Sequence, residues 1–318
     1  SLNFALAPAS WPIPTGSVNS RKRAPRRAAW CAPLVRHREQ RRSARPGVND
    51  SATLVDGLAA TTLSVHDRGL QYGDGLFETM SCVQGRVRWF ERHLARLQRG
   101  CEQLGIGMPE VAALRQEVKI LADDQERCLL KLIVTRGQAT GRGYRPTGAE
   151  RATRILSRYE WPAAPDSEFR VQLSPVKLGR NLALAGIKHL NRLEQVLAQR
   201  VAGRAGVDEA LQCCESGEVV CGTMSNVFVV NGSEWLTPGI SACGVAGVMR
   251  AMVLATAPAQ GIAVREVNLT PLDLLQAPSI VVTNVRLGLQ AVHWYEGRRL
   301  AVPTSLNRLS EAIDAAAF

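Results

Sequence analysis

From residue 53 onward, stretches of alternating apolar and polar residues are separated by stretches with an apolar residue every three or four positions. The first period is typical of strands and the second of helices. A turn at Asp56-Gly57 predicts a strand pair over 53–66, with its second strand at 61–65. A strand following the glycine-rich loop 67–75 is predicted to turn at Gly85. Further strands are predicted at 86–89, 128–135, 151–159, 170–174, 208–212, 219–230, 235–236, 262–268, 279–283 and 290–295.

The helical pattern predicts four helices. The first begins at Glu91 and ends at Gly105, with an apolar face formed by Leu94, Leu97, Cys101 and Leu104. The others are predicted at 109–122, at 191–203, and from Val248 to about Ala257. The helix over 191–203 is strongly amphipathic, with an apolar face formed by Leu193, Val196, Leu197 and Val201.

These elements form two halves that each mix strands and helices, so the sequence predicts an α+β fold. A proline- and alanine-rich segment at 161–166 is the best linker candidate. We therefore expect an N-terminal domain over 51–163 and a C-terminal domain over 164–318, preceded by an extension over 1–50. The strands at 262–268, 279–283 and 290–295 are expected to complete a second sheet.

The chain carries a formal net charge of +11, and its distribution is uneven. Residues 1–47 hold ten Lys or Arg residues and one Glu, which leaves the rest of the chain nearly neutral. This proline-containing basic segment has no apolar periodicity, and we expect it to be disordered. It could be a nucleic-acid or membrane-surface arm, an organellar transit segment, or an extension without function ahead of a fold that begins near Val48.

Eight cysteines occur without a CxxC pair or a regular spacing. In a chain of this length, that pattern predicts free thiols in a reducing compartment such as the cytoplasm, and it argues against a disulfide framework or a zinc site. No apolar run approaches the roughly 20 residues that a membrane-spanning helix needs.

Lys188 is the most informative residue. Only five of the 39 basic residues are lysines, so arginine supplies most of the positive charge. Lysine, unlike arginine, can lose its proton near neutral pH and condense with an aldehyde to form a Schiff base. Taken alone, Lys188 would be an ordinary solvated lysine near a helix start, but the residues around it favour the chemical interpretation.

Three separated segments carry a family resemblance: 72–79 (YGDGLFET), 135–144 with Thr-Arg-Gly and Arg-Gly-Tyr, and 187–197 (IKHLNRLEQVL). Together they resemble the fold-type IV pyridoxal-phosphate enzymes, which include branched-chain and D-amino-acid aminotransferases and 4-amino-4-deoxychorismate lyases. The segment around Lys188 is closer to the lyases, because the aminotransferases use different residues after the lysine. The resemblance covers roughly residues 53–295. It implies a homodimer with the cofactor, pyridoxal 5'-phosphate, between two domains.

The resemblance also implies which residues hold the cofactor. Lys188 would bind its aldehyde and then serve as general base and acid. Arg96 matches the phosphate-binding arginine, whose guanidinium can bind two phosphate oxygens. The backbone of Val248 and Met249, at the start of a helix, would also bind the phosphate. Asn284 would supply a last contact, whereas His189 has a simpler interpretation as a polar residue at a helix start.

Cys221 departs from the family pattern. The resemblance implies a glutamate five residues before Asn226, where it keeps the pyridine nitrogen of the cofactor protonated, and this chain has Cys221 there. Glu218 is expected on the other face of the strand and Glu215 too far along it. A neutral thiol cannot hold the pyridinium charge as a carboxylate does. We hypothesise that Cys221 disfavours transamination more than a lyase reaction, because the lyase product gains aromaticity.

The implied activity is the conversion of 4-amino-4-deoxychorismate to 4-aminobenzoate and pyruvate, a step of folate biosynthesis. Arginines on a mobile glycine-rich loop suit a substrate with two carboxylates. The candidates for substrate binding are Tyr72, Arg136, Arg142 and Tyr144, although the same segment could be a solvated hairpin. The alternatives are an aminotransferase of the same fold and a catalytically impaired cofactor-binding protein. We expect no membrane association, and nucleic acid only if the basic extension binds it.

Overall fold

The computed structural model describes residues 53–123, 125–139, 141–162 and 168–318, which belong to one unit over Pro46–Phe318. The extension expected over 1–50 and most of the linker expected at 161–166 lie outside the described residues. The domain boundary between 163 and 164 therefore stays a prediction.

A six-stranded antiparallel sheet forms the first half, with strand order β2-β1-β6-β5-β3-β4. The strands are β1 (Thr53–Val55), β2 (Leu58–Ala59), β3 (Gly75–Val83), β4 (Arg86–Val87), β5 (Arg127–Thr135) and β6 (Thr153–Glu160). The strand predicted at 61–65 is wrong. Asp56 and Gly57 both adopt positive φ angles, 49° and 87°, so a two-residue turn returns the chain at Leu58.

Three helices accompany this sheet: α1 (Arg68–Tyr72), α2 (Phe90–Leu104) and α3 (Val111–Ala122). The predicted stop of α2 is confirmed, because Gly105 has a φ of 62° and closes the helix by donating to Cys101 and Glu102. The pattern missed α1, which is only five residues long and contains a glycine. Asp67 caps it by accepting the backbone N–H of Gly69.

The second half contains two five-stranded sheets, with orders β12-β11-β10-β13-β14 and β16-β15-β7-β8-β9. Their strands are β7 (Arg170–Leu173), β8 (Glu209–Cys213), β9 (Val219–Gly222), β10 (Asn226–Asn231), β11 (Glu234–Pro238), β12 (Ala263–Val267), β13 (Ser279–Asn284), β14 (Gly288–Ala291), β15 (Trp294–Tyr295) and β16 (Arg298–Arg299). The helices are α4 (Leu193–Ala205), α5 (Val248–Thr256), α6 (Pro271–Gln276) and α7 (Leu306–Ala315).

The single strand predicted over 219–230 is wrong, because a turn divides it between the two sheets. The buried carboxylate of Glu209 accepts hydrogen bonds from the backbone of Thr223 and Met224 and from the hydroxyl groups of Thr223 and Ser225. These bonds hold the turn between β9 and β10. As a result Cys221 and Asn226 lie in different sheets on either side of it.

The two faces of the β10–β13 pair lie in different cores. Phe228, Val230 and Val281 pack with α5 and α7, whereas Val227 and Val282 pack with the sheet that contains β7 and β8. Because side chains alternate between the two faces of a strand, the β10–β13 pair separates two layers of hydrophobic core within the carboxyl-terminal half. No helix in the described part of the chain is long and apolar enough to cross a membrane.

Helix α4 has the predicted apolar stripe, but much of the stripe faces solvent. Leu193, Val196 and Leu197 are 77%, 59% and 40% exposed. The buried residues of the helix are Ala198 and Ala202, whose small side chains allow α4 to lie close to the sheet. An unpartnered apolar stripe of this kind suits contact with another protein surface.

Candidate active site

The turn that carries Lys188 lies between β7 and α4 and is held at three successive carbonyl groups. The carbonyl of Lys188 accepts the backbone N–H of Phe77 at 2.9 Å. The flanking carbonyls of His189 and Ile187 accept the guanidinium of Arg192, at 2.8 Å from Nε and 3.5 Å from Nη2. The backbone of Lys188 is therefore fixed on both sides.

The amine of Lys188 lies over an aromatic ring in a half-buried position. Its Nζ is 4.3 Å from the centre of the Phe77 ring. Burial, followed by the positive charge of Arg96, lowers the pKa of Lys188 to about 7, although Glu78 acts in the opposite direction. A substantial fraction of the amine is therefore neutral at neutral pH, as a nucleophile or general base requires.

Arg96 connects the two halves of the site. It projects from α2, and its Nε donates to Glu78 at 2.7 Å while its Nη1 donates to the carbonyl of Ala246 at 3.0 Å. The Nη2 of Arg96 and the Nδ1 of His93 also bond the Glu78 carboxylate. Burial alone raises the pKa of Glu78, but Arg96 and His93 outweigh it and lower that pKa to about 2. Glu78 is thus a fixed anion beneath Arg96.

The carbonyl that Arg96 reaches immediately precedes the start of α5. No side chain caps this helix at Gly247, so its first backbone N–H groups remain available to an anion. A Cβ at Gly247 would come within 2.0 Å of the Asn226 side chain, which donates to the carbonyl of Val245 at 3.0 Å. Val248 and Met249, the first two helical residues, are buried. The structure therefore brings Arg96, Val248 and Met249 together.

Asn284 lies at the end of β13, next to Thr283, which pairs with Asn226. Its side-chain oxygen accepts the backbone N–H groups of Arg286 and Leu287, and its nitrogen donates to the carbonyl of Met224 at 3.3 Å. These bonds close a turn and join it to the β9–β10 turn. The predicted residue therefore lies against the β9–β10 turn, with its side chain already engaged.

Cys221 is buried in β9. Burial, followed by the negative charge of Glu209, raises the pKa of Cys221 to about 12, so the thiol is protonated at neutral pH. Arg192 and Lys188 are close enough to act on the same thiol in the opposite direction. The carboxylate of Glu209 is occupied by the 223–225 turn, and that of Glu218 accepts the Ser216 hydroxyl. Neither carboxylate replaces the missing glutamate.

His189 is half-buried beside Lys188, and its Nδ1 is buried without a partner among the described residues. Burial, followed by the charge of Arg192, lowers the pKa of His189 to about 4. The imidazole is therefore neutral at neutral pH. The backbone of His189 bridges to Leu76 of β3, which helps to fix the Lys188 turn.

Arg136 is engaged by the protein itself. It donates to both oxygens of Asp74, at 2.8 Å and 3.0 Å, and to the carbonyls of Gly105 and Leu104. Four contacts leave little of its guanidinium for a ligand.

Tyr72 and Tyr144 lie together, with ring centres 5.3 Å apart. The buried Arg68 holds the exposed loop by donating to the carbonyls of Gly143 and Tyr144. Tyr144 is 82% exposed, and Arg142 is exposed without an ion pair among the described residues. The structure thus brings Tyr72 and Tyr144 together and leaves Arg142 free on the surface.

Sequence reasoning missed four residues that organise the site: Phe77, Glu78, Arg192 and Asn226. All four lie within segments that carry the family resemblance or the Cys221 comparison. Their presence in those segments was the available signal. Phe77, Glu78 and Asn226 contact residues of other segments, which the sequence did not show. The carbonyls that Arg192 contacts lie in its own segment, so only the geometry of that turn was missing.

Comparisons with known proteins agree with this architecture. A model of the family "Amino-transferase class IV" matches residues 75–295. The chain belongs to the class IV aminotransferase family. The α+β, fold-type IV architecture expected from the sequence is thereby confirmed.

Individual relatives include both lyases and aminotransferases. An aminodeoxychorismate lyase of Vibrio harveyi is 34% identical over 242 residues, which cover 75% of this chain and 89% of the relative. A D-alanine aminotransferase of Bacillus licheniformis is 28% identical, covering 75% and 84%. The solved structure of a 4-amino-4-deoxychorismate lyase from Pseudomonas aeruginosa is 38% identical with a TM-score of 0.76, covering 83% of this chain and 98% of that one.

Proposed function

We propose that this protein is a pyridoxal-phosphate-dependent lyase that converts 4-amino-4-deoxychorismate to 4-aminobenzoate and pyruvate. The observation that carries the proposal is the 38% identity with a solved lyase over 83% of this chain. The lyase-like segment 187–197 places Lys188 beside an arginine and an uncapped helix start, which supports the same conclusion.

The residues present fit the cofactor. The Arg96 guanidinium and the free N–H groups of Val248 and Met249 form an anion cradle for the phosphate. Gly247 is needed at the start of this helix, because a Cβ there would lie 2.0 Å from the Asn226 side chain. We propose that Asn284 supports the cradle through the turn that it closes. Lys188, with a pKa of about 7, is the amine suited to the aldehyde.

When bound, pyridoxal phosphate supplies an aldehyde for amines and an aromatic ring that accepts electrons from the substrate. The neutral amine of Lys188 removes the ring proton of the substrate. In its protonated form the same group assists departure of the enolpyruvyl group, which becomes pyruvate. Phe77 and Arg192 hold the lysine backbone during both proton transfers.

Cys221 supports a lyase rather than an aminotransferase. Its protonated thiol brings no negative charge to the site, and its neighbour Arg192 adds a positive one. Transamination depends strongly on a protonated, electron-withdrawing ring. The lyase reaction needs less help, because its product gains an aromatic ring. The thiol is therefore compatible with the proposed reaction.

The substrate end of the site would be formed by Tyr72, Arg142 and Tyr144. The substrate carries two carboxylates, and Arg142 is an exposed guanidinium that can bind one of them. Arg136 would act indirectly, because it ties Asp74 to the end of α2. His189 is neutral, and its Nδ1 has no partner among the residues that the structure describes, so it can accept or donate one hydrogen bond.

We also propose that the protein is a homodimer of folate biosynthesis in a reducing compartment such as the cytoplasm. The exposed stripe of Leu193, Val196 and Leu197 supports a protein contact. The seven cysteines in the described part of the chain form no disulfide there, which is compatible with a reducing environment.

The experiment that tests the function is a comparison of two assays on the same preparation. We expect 4-aminobenzoate and pyruvate to form in equal amounts from 4-amino-4-deoxychorismate. If the protein is instead an aminotransferase, it should form glutamate from D-alanine and 2-oxoglutarate. Glutamate formation without 4-aminobenzoate would reject the lyase proposal in favour of the aminotransferase.

A further inference from the structure

Arg192 holds the peptide groups on both sides of Lys188. Its Nε donates to the carbonyl of His189 at 2.8 Å, and its Nη2 approaches the carbonyl of Ile187 at 3.5 Å. The carbonyl between them, that of Lys188 itself, is bound by the backbone N–H of Phe77. One planar guanidinium therefore bridges the lysine-bearing turn, with a geometry that an ammonium group cannot reproduce.

This guanidinium has no carboxylate partner in the described residues. Its contacts there are the two carbonyls, and its Cζ lies 6.0 Å from the centre of the Phe77 ring. Half-buried arginines in this protein usually pair with an acid: Arg136 pairs with Asp74 and Arg154 with Glu117. Glu194, two residues further along the chain, acts on this charge without forming an ion pair with it in the described part of the chain.

Charged groups reach Lys188 from several elements. Arg96 on α2, Lys131 on β5 and Arg192 ahead of α4 are positive, and Glu78 on β3 is negative. Glu78 is already bound by Arg96 and His93. Burial lowers the pKa of His93. The thiol of Cys221 on β9 is protonated. Arg192 and Lys131 are therefore the cations in this group that form no ion pair with an acid in the described residues, and Arg192 is the one that also contacts the lysine-bearing turn.

We propose that Arg192 is the positioning residue of Lys188: its fork fixes the lysine-bearing turn, and its charge adds to that of Arg96 in favouring the neutral lysine amine. Arg192 would act through Lys188 and would not itself react. The proposal deepens the proposed function and rests on Lys188 being its reactive amine. It also states what the absence of a carboxylate at Cys221 changes: a glutamate at that position would neutralise the charge of Arg192.

Three substitutions separate the two effects. R192K keeps the charge but loses the fork, whereas R192Q and R192M remove the charge. R200Q is the matched control, because Arg200 lies on α4, is exposed, and has no hydrogen bond or ion pair to a site residue in the described part of the chain. Thermal unfolding of each full-length variant shows whether the fold is retained.

The first readout is the pH dependence of Lys188 labelling by a small amine-reactive reagent, followed by peptide mass spectrometry. The full chain is labelled without added cofactor, so no catalytic turnover is involved. We expect a midpoint near 7 in the unchanged protein. In R192Q and R192M the midpoint should rise by about 1 pH unit, because a nearby cation favours the neutral amine. R192K and R200Q should keep the midpoint.

The second readout is amide hydrogen exchange over residues 185–190. R192K, R192Q and R192M should all exchange faster there, because each loses the two-carbonyl bridge, and R200Q should not. A merely structural arginine would lower thermal stability without moving the labelling midpoint.

An unchanged midpoint in folded R192Q and R192M, or unchanged exchange in R192K, overturns the proposal whatever the lyase assay shows. Conversely, the expected shifts in a protein that forms no 4-aminobenzoate would support the positioning of Lys188 and reject only the proposed reaction.

Discussion

The two ends of the candidate site differ in how their charged side chains are held. At the phosphate end, Arg96 and Glu78 are paired and only 6% and 1% exposed. At the substrate end, Arg142 and Tyr144 lie on an exposed loop that Arg68 holds through its backbone carbonyls. The phosphate end is therefore part of the folded core, whereas the substrate end is a surface loop that Arg68 holds against the core. Substitutions at the phosphate end should affect stability and cofactor binding together. Substitutions at the substrate end should affect substrate binding alone.

Replacement of Lys188 should have the largest effect, because this residue lies between the two ends. Without its amine the protein loses the general base and the group that binds the cofactor aldehyde. We expect K188A to lower 4-aminobenzoate formation by about 10³-fold or more. Lys119→Ala, an exposed substitution on α3, is the control and should retain full activity. Substantial turnover by K188A would reject Lys188 as the reactive lysine.

The buried ion pair should dominate stability at the phosphate end. E78Q leaves the Arg96 charge buried without an anion, and we expect a loss of about 3–5 kcal/mol in the free energy of unfolding. The matched control is E91Q, since Glu91 pairs with Arg115 on the surface and its loss should cost less than about 1 kcal/mol. Chemical denaturation measures both. Equal effects would mean that burial of the first pair does not matter.

Acid should weaken the same end of the site. The pKa of Glu78 is about 2 in the folded protein against an ordinary value of 4.5. This lowered pKa stabilises the fold above pH 4.5, and the contribution is lost as the pH falls from 4.5 towards 2. The loss should be about 3 kcal/mol for one group, and E78Q should lack this component. Denaturation curves across this range, with and without E78Q, provide the measurement.

The substrate end should respond in binding and not in stability. We expect R142A to raise the KM for 4-amino-4-deoxychorismate about tenfold, because one charge-assisted hydrogen bond to a carboxylate is lost. Cofactor binding and thermal stability should stay unchanged. Arg145→Ala lies three residues away on the same exposed loop and is the control. A fall in cofactor affinity in R142A would contradict the separation of the two ends.

The smallest expected change concerns the balance of activities. In C221E a carboxylate would neutralise Arg192 and supply the charge that a protonated pyridine ring needs. Transamination of D-alanine should then gain more than 4-aminobenzoate formation, by a few-fold in the ratio. Both rates are measured on one preparation, and C221S controls for the loss of the thiol. If the ratio does not rise, Cys221 does not restrict the reaction.

The sequence predicted the long helices and strands better than the turns between them and the surfaces that they bury. The stop of α2 at Gly105 is confirmed, since a glycine with positive φ is a local signal. The division of 219–230 into two strands was missed because its cause is Glu209, a residue of another strand. The outward orientation of Leu193 and Val196 was missed because periodicity shows that a helix has an apolar face without showing what covers it.

For the candidate site too, the sequence predicted features that have a local signal and missed those that depend on the folded geometry. Motifs at Lys188 and Arg96 identified residues that the fold brings near each other. The pairing of Arg136 with Asp74 depends on a contact between separate segments, which no local pattern contains. The bridge made by Arg192 lies within its own segment, but it depends on a turn geometry that periodicity does not show. Roles assigned to the individual site residues therefore stay predictions until the substitutions are measured.

The most direct test is reduction of the cofactor-loaded protein with borohydride, followed by peptide mass spectrometry. The account predicts one modified lysine, Lys188, carrying the mass of the reduced cofactor, together with loss of the visible absorbance. Attachment to Lys131 or another lysine, or no attachment at all, would contradict it.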